Sequence, residues 1–378
     1  MFCAFSVYLA ACGGGASDGA GSKRAPRAAS AEAQRHEAAP ISKIDVHLHI
    51  DPAAIDEALA ILREQNIVVG LNASGGEPGR GLEQSVALAD QSAGRLLPLC
   101  NLRFSLVVAP DFAEYARTTL ERCKALGGKG LKVSKFVGLG LTDASGAIVP
   151  VDDPQLDVVF EAAGQLGLPV LIHSGDPKAF FEANTPRNER FDELHAHPDW
   201  SFHGLAPNGQ PWPSWSALLE QFEARIARHP GTTFMGAHFG NAAEEPERVA
   251  RMLTRYPNYV IDTAARVPEF GRHAAARMRR FFIDHQDRVL FGSDLGVGPG
   301  GLTLGSGGER PGTRAESRVF FDRHWAYFET QRRAMAHPTP IQGRWTIDGI
   351  GLPKPVLEKL YHQNAARIFA IQRPAASR

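Results

Sequence analysis

Two histidines one residue apart, in Lys43-Ile44-Asp45-Val46-His47-Leu48-His49, are the side chains whose type and spacing first suggest chemistry. Ile44, Val46 and Leu48 alternate with polar residues, so the segment reads as a β-strand. Side chains at i and i+2 of a strand share a face, which aims both imidazoles at one spot. Convergent imidazoles on a rigid strand suit a borderline divalent cation such as zinc. A bare His-x-His is equally a pair of half-buried strand histidines. Its meaning depends on the rest of the chain.

Three later segments repeat one pattern: a short apolar run, one polar residue of metal or proton chemistry, then a glycine. Val170-Leu171-Ile172 runs into His173-Ser174-Gly175, Phe234-Met235-Gly236-Ala237 into His238-Phe239-Gly240, and Val289-Leu290-Phe291-Gly292 into Ser293-Asp294-Leu295-Gly296. Buried parallel strands read as such apolar runs, and catalytic groups collect at their carboxyl ends. Singly, His173 or His238 is as readily a satisfied core histidine as a ligand. The ordered set of HxH, His, His and Asp is much harder to produce by accident.

In that order the chain resembles the amidohydrolase superfamily, and within it the amidohydrolase-related (amidohydrolase-2) family, over residues 43 to 371. The closing Leu360-Tyr361-His362-Gln363-Asn364-Ala365-Ala366-Arg367-Ile368-Phe369 is similar to the family's C-terminal Asn-Ala helix. The resemblance implies one divalent ion, zinc first, held by His47, His49, His173 and Asp294. It makes Asp294 the handler of the metal water's proton, and His238 a proton donor, acceptor or oxyanion stabiliser. Some superfamily members bridge two metals with a modified lysine on strand four, where Lys132 and Lys135 stand on different faces. Arg103, Lys132 and Lys135 are candidates for holding a substrate carboxylate, each equally readable as an ion-paired charge. Asp45 reads as structural.

Eight strands are needed to position these groups, and the periodicity supplies them. Strands are expected at 43–49, 67–71, 96–101, 130–135, 170–172, 233–237, 259–262 and 289–292. Helical spacing fills the gaps at 53–65, 82–93, 112–126, 155–166, 214–229, 245–255 and 269–284. Alternation of this kind makes an α/β fold with right-handed crossovers. The resemblance implies closure into a (β/α)8 TIM-like barrel; periodicity alone also allows an open sheet. Asp176–Pro213 and Leu295–Arg314 exceed ordinary loop lengths and leave from the catalytic face, where they are expected to form a lid. Within them, His195-Ala196-His197 lacks a preceding apolar strand and reads as loop, and Gly296-Val297-Gly298-Pro299-Gly300-Gly301 reads as flexible loop without a phosphate-binding pattern.

The 378 residues are 43% hydrophobic with formal net charge zero, enough for one large core and without the basic stripe that nucleic acid would require. Phe2–Ala11 is a short apolar run before Leu9-Ala10-Ala11-Cys12, which resembles a bacterial lipobox although a basic n-region is missing. The expected organisation is therefore a lipoprotein signal at 1–12, a tether at 13–40 and a catalytic domain at 41–378. A lipid on Cys12 would place the protein in the bacterial cell envelope; an unprocessed tail would leave it cytoplasmic. Cys100 and Cys123 are read as buried inert thiols.

Three functions fit. The first is metal-dependent hydrolysis of an ester, lactone or amide of a small molecule. The second is non-oxidative decarboxylation, which relatives such as aminocarboxymuconate-semialdehyde decarboxylase perform with similar ligands. The third is a non-catalytic lipoprotein with a vestigial site, against which the complete ligand set argues. Many decarboxylase relatives carry an aromatic residue or proline soon after the eighth-strand Asp, where this chain has Leu295-Gly296-Val297, which favours hydrolysis.

Overall fold

The apolar runs form eight parallel strands in the computed structural model, which describes residues 40–372 except Glu309. They are β1 (Lys43–Ile50), β2 (Ile67–Asn72), β3 (Leu96–Pro98), β4 (Leu131–Val133), β5 (Val170–Ile172), β6 (Phe234–Gly236), β7 (Tyr259–Asp262) and β8 (Val289–Leu290). Pairing is parallel from β1 to β3 and from β4 to β8. Hydrogen bonds link both seams. Cys100 N donates to Gly130 O and Lys132 N to Cys100 O, each at 2.8 Å, while Val46 N donates to Phe291 O at 3.0 Å. The arrangement is the expected TIM-like barrel.

Burial on both faces explains why these strands read as continuous apolar runs. An inner cluster gathers Ile44, Val46, Leu71, Leu171, Met235 and Leu290 among others, and Phe369 of the C-terminal helix packs into it. Asn364 on that helix (Asn364–Ile368) donates to Gln286 O and Val289 O, both at 2.8 Å, fastening it beneath β8. The outer cluster lies between strands and helices. On α1 (Ile55–Glu64) the buried residues are Ala58, Ile61 and Leu62, the i, i+3, i+4 stripe of an amphipathic helix.

Three expectations are corrected. The glycine-rich stretch after Asp294 is a β-hairpin, β9 (Leu295–Gly298) with β10 (Gly301–Leu304), and β9 pairs in parallel with β1. Leu295 and Val297 bury their side chains, and a Cβ on Gly296 would stand 3.0 Å from Thr303 Cβ; glycine serves close packing here. Cys100 and Cys123 are joined in a disulfide with Cα atoms 6.3 Å apart, tying the end of β3 to α3 (Phe112–Ala125). The helix expected over 269–284 is two, Val267–Gly271 and Ala275–Asp284, with the His273 ring between them turned to Ala243 O at 3.0 Å.

The 176–213 segment covers the catalytic face and has structure of its own, including a helix over Phe191–Ala196. Fully buried Arg190 pins it by pairing with Glu193 and with Glu269 beyond β7. His197 stacks on Trp200 at 4.0 Å and its Nε2 bonds Gly307 O at 3.0 Å, so the second HxH joins the two long segments. Among the described residues, no helix is long and apolar enough to cross a membrane. Cys12 and the expected signal and tether lie outside the described residues.

Candidate active site

His47 owes its aim to β1 and β7 together. The register of β1 on β2 slips by one residue between Asp45, opposite Gly70, and Leu48, opposite Asn72. Asp45 accepts from His47 N at 3.0 Å and from Ser293 N at 3.1 Å, holding this irregular stretch to the end of β8 in the structural role expected of it. His47 Nδ1 lies 2.9 Å from Asp262 Oδ2 at the end of β7. A carboxylate only accepts, so Nδ1 carries the proton and Nε2 keeps its lone pair. His49 is oriented likewise by Ser74 Oγ, 2.7 Å from its Nδ1.

Asp294 completes a three-donor cluster. Its N–H donates to His47 O at 2.9 Å, and its Oδ1 lies 3.6 Å from His47 Nε2 and 3.5 Å from His49 Nε2. Donors about 2.1 Å from a tetrahedral ion stand about 3.4 Å from one another, so this spacing fits a zinc-sized cation. The cluster of His47, His49 and Asp294 is the one set of metal-ligating side chains that converges in this way among the described residues. His173 stands beside it but outside it: its Nε2 is buried and turned to Asp176 Oδ1 at 3.4 Å.

His238 sits between His173 and His47, with ring centroids 4.3 and 4.9 Å away. Its Nδ1 lies 3.0 Å from Ala264 O, another pure acceptor, so its Nε2 also carries a lone pair in the neutral ring. Burial first, then proximity to the His173 ring, which would charge only in competition with it, and to the Arg266 guanidinium, holds His238 well below the ordinary histidine range. Burial does the same to His47, with Lys132 next, and brings His173 to about 4. All three imidazoles are therefore neutral near pH 7. Asp262 also accepts from His238 N at 2.7 Å and Ala264 N at 3.1 Å; burial raises it to about 6 against the pull of Lys132. His238, Ala265 and Asp294 all adopt positive φ, at 57°, 55° and 62°. Backbone strain of this sort, about 1–3 kcal/mol per residue, collects at functional sites.

The three expected cationic residues divide. Lys132 Nζ is buried 3.2 Å from His47 Nε2, and burial pushes it down to about 8. It competes with a cation for that lone pair. Lys135 faces the cavity and pairs with Asp176 at 2.5 Å, while Arg103 pairs with Glu77 at 3.0 Å away from it. The cavity measures about 330 Å³ and is lined by His49, Lys135, His173, His238, Arg266 and Asp294. The sequence reading missed Asp262 and Arg266. Asp262 had a signal, since Tyr259-Val260-Ile261-Asp262 repeats the apolar-run-then-polar pattern; Ser74, Asp176 and Arg266 had none.

The amidohydrolase family matches residues 44–371. No curated protein matches the chain. Among solved structures, a dihydroxybenzoic acid decarboxylase from Polaromonas sp. JS666 with bound manganese and 2-nitroresorcinol is 14% identical, covering 88% of this chain and 97% of its own at a TM-score of 0.50. A 5-carboxyvanillate decarboxylase from Sphingomonas paucimobilis is 15% identical, covering 88% of this chain and 100% of its own, with a TM-score of 0.49. A probable 2-pyrone-4,6-dicarboxylic acid hydrolase from Acinetobacter baumannii with citric acid bound is 12% identical, covering 87% and 100%, also at 0.49. At such identities the likeness is one of fold.

Proposed function

The chain belongs to the amidohydrolase family, a metal-dependent one, and on that premise we propose that it hydrolyses an ester, lactone or amide bond in a small molecule. The observation that carries this reading is the spacing of the His47, His49 and Asp294 donors around one point. His47 and His49 would hold the ion with Asp294, and His173 is the neighbouring fourth candidate. A divalent cation bound there supplies a water acidic enough to ionise near neutral pH and polarises a substrate oxygen.

The protein's own groups handle the rest. Asp294, whose Oδ1 lies beside His47 and His49 Nε2, would take a proton from the attacking water. His238, neutral and with its Nδ1–H committed to Ala264 O, can accept a proton at Nε2 and return it to the leaving group. The hairpin contributes Gly296 and Thr303 to the cavity wall, and the 176–213 segment contributes Phe180, Glu193 and Trp200.

A second reading, non-oxidative decarboxylation, is favoured by the cationic residues Lys135 and Arg266 in the cavity. Purified protein reloaded with zinc or manganese should be offered lactones, esters and aromatic carboxylic acids, with acid release and CO2 release followed separately. CO2 without hydrolysis would replace the first reading by the second; metal content unaltered in His47→Ala/His49→Ala would refute both. His238→Ala should retain its ion and lose about 10²- to 10⁴-fold in kcat. Loss of the ion there would make His238 a ligand.

For location we propose the cell envelope. The Cys100–Cys123 disulfide supports it, because such bonds persist in oxidising compartments. Wild type should fractionate with membranes and Cys12→Ser should not.

A further inference from the structure

A second cavity lies outside the catalytic one, between the helix Phe191–Ala196, strand β10, the helix Arg314–Glu329 and the segment 338–344. It measures about 700 Å³ against about 330 Å³ for the catalytic cavity, within the range of small-molecule sites. Much of its wall is apolar, from Leu302, Leu304, Val319, Phe320, Pro338 and Ile341. Glu316, Val319, Phe320 and Arg323 stand at i, i+3, i+4 and i+7 of the long helix, so one helix face brings apolar surface and charge together. Val319 is 47% exposed, one of four large apolar side chains left open to water among the described residues. Exposed apolar surface in a concave setting marks a place where something binds.

The charges on this wall do not cancel. Asp192 is engaged by Arg344 through two hydrogen bonds, of 2.9 and 3.0 Å. Glu316 caps its own helix by accepting from Thr313 N at 2.8 Å, and it pairs with Arg310 at 2.5 Å. Arg323 has no such partner. Among the described residues its guanidinium donates once, from Nη1 to His337 O at 2.9 Å, and makes no ion pair. Its Nε and Nη2 carry no bond and are not sealed inside the protein. A guanidinium stays charged at any working pH. Ser306 lines both cavities and commits its hydroxyl to Glu193, so the two spaces share a wall and remain distinct.

We propose that this cavity is a second binding site, apart from the reaction centre, for an apolar monoanion: a chain or ring that carries one carboxylate. Its apolar body lies along Leu302, Val319 and Phe320. Its carboxylate takes Nε and Nη2 of Arg323, the parallel pair of N–H groups that suits bidentate recognition. One negative charge is the complement, because Arg310 and Arg344 are already paired. The site requires neither the metal nor the reaction proposed above.

The test titrates the full chain with octanoate, octanol and acetate by calorimetry and follows the melting temperature. Octanoate should bind about tenfold or more tightly than either octanol or acetate, the margin a charged hydrogen-bonded pair supplies, and should raise the melting temperature. Arg323→Met should bring octanoate down to the level of octanol, and Arg323→Lys should keep part of the preference. Arg323→Met also gives up the bond to His337 O, so Val319→Asp, which gives up none, tests the same wall and should abolish binding of both octyl ligands. His47→Ala/His49→Ala should bind octanoate as wild type does, which separates this site from the catalytic cavity whatever becomes of the metal reading. Wild type that binds no octanoate, or binds octanol equally well, would overturn the proposal. So would an octanoate preference unchanged in Arg323→Met, or binding that is lost in His47→Ala/His49→Ala and kept in Val319→Asp.

Discussion

Replacing Asp262 by Asn should loosen the metal while leaving the barrel folded. Asp262 Oδ1 accepts from His238 N at 2.7 Å and Ala264 N at 3.1 Å, and Oδ2 accepts from His47 Nδ1 at 2.9 Å. In the Asn variant the two backbone donors hold the amide oxygen where Oδ1 stood. The amide NH2 then faces His47 and drives the imidazole to the other tautomer, with its proton on Nε2, the atom aimed at Asp294. Loss of such a supporting carboxylate typically weakens metal binding 10- to 100-fold, about 1.4–2.7 kcal/mol. Competition for zinc against a chromogenic chelator measures this directly. Asp262→Ala is the contrast, because it strands three buried donors at about 1–3 kcal/mol each and should lower the melting temperature as well. Wild-type zinc affinity in a folded Asp262→Asn protein would refute the tautomer argument.

Two further expectations concern stability. The Cys100–Cys123 disulfide spans a sequence separation of 23, and closing a loop of that size is worth about 3 kcal/mol in chain entropy, so Cys100→Ser/Cys123→Ser should shift the denaturant midpoint accordingly; an unchanged midpoint would show the bond does not form. His324 is buried with Nδ1 2.8 Å from Phe320 O, and burial lowers it to about 4. The unfolded chain takes up this proton near pH 6.5 and the folded chain resists until about 4, so its stabilisation is complete above about pH 6.5 and is lost as pH falls toward 4. Between pH 7.5 and 5 wild type should lose about 2 kcal/mol of stability relative to His324→Leu, and parallel pH profiles would contradict this.

The sequence by itself determined the strands and the order of the chemistry along them. Strands buried on both faces must be apolar, so Val170–Ile172 and Tyr259–Asp262 announce themselves, and the polar residue that ends such a run lies at the catalytic end of the barrel. That physics puts His47 and His49 on the first strand and His173, His238 and Asp294 just past the ends of later ones. Only the tertiary structure decided what each side chain meets there. His47 meets Asp262 from β7 on one ring nitrogen and Lys132 from β4 on the other, while His173 turns its Nε2 toward Asp176 and away from the cluster. Local spacing carries no record of such partners. Glycine misled for a related reason: after Asp294 it permits the close approach of β9 and β10, which only the facing strand reveals. Cys100 and Cys123 pair because β3 and α3 bring their Cα atoms within 6.3 Å, and among the described residues no carboxylate pairs with Arg266. Both are facts about neighbours distant in sequence, and pattern along one chain records only its own period.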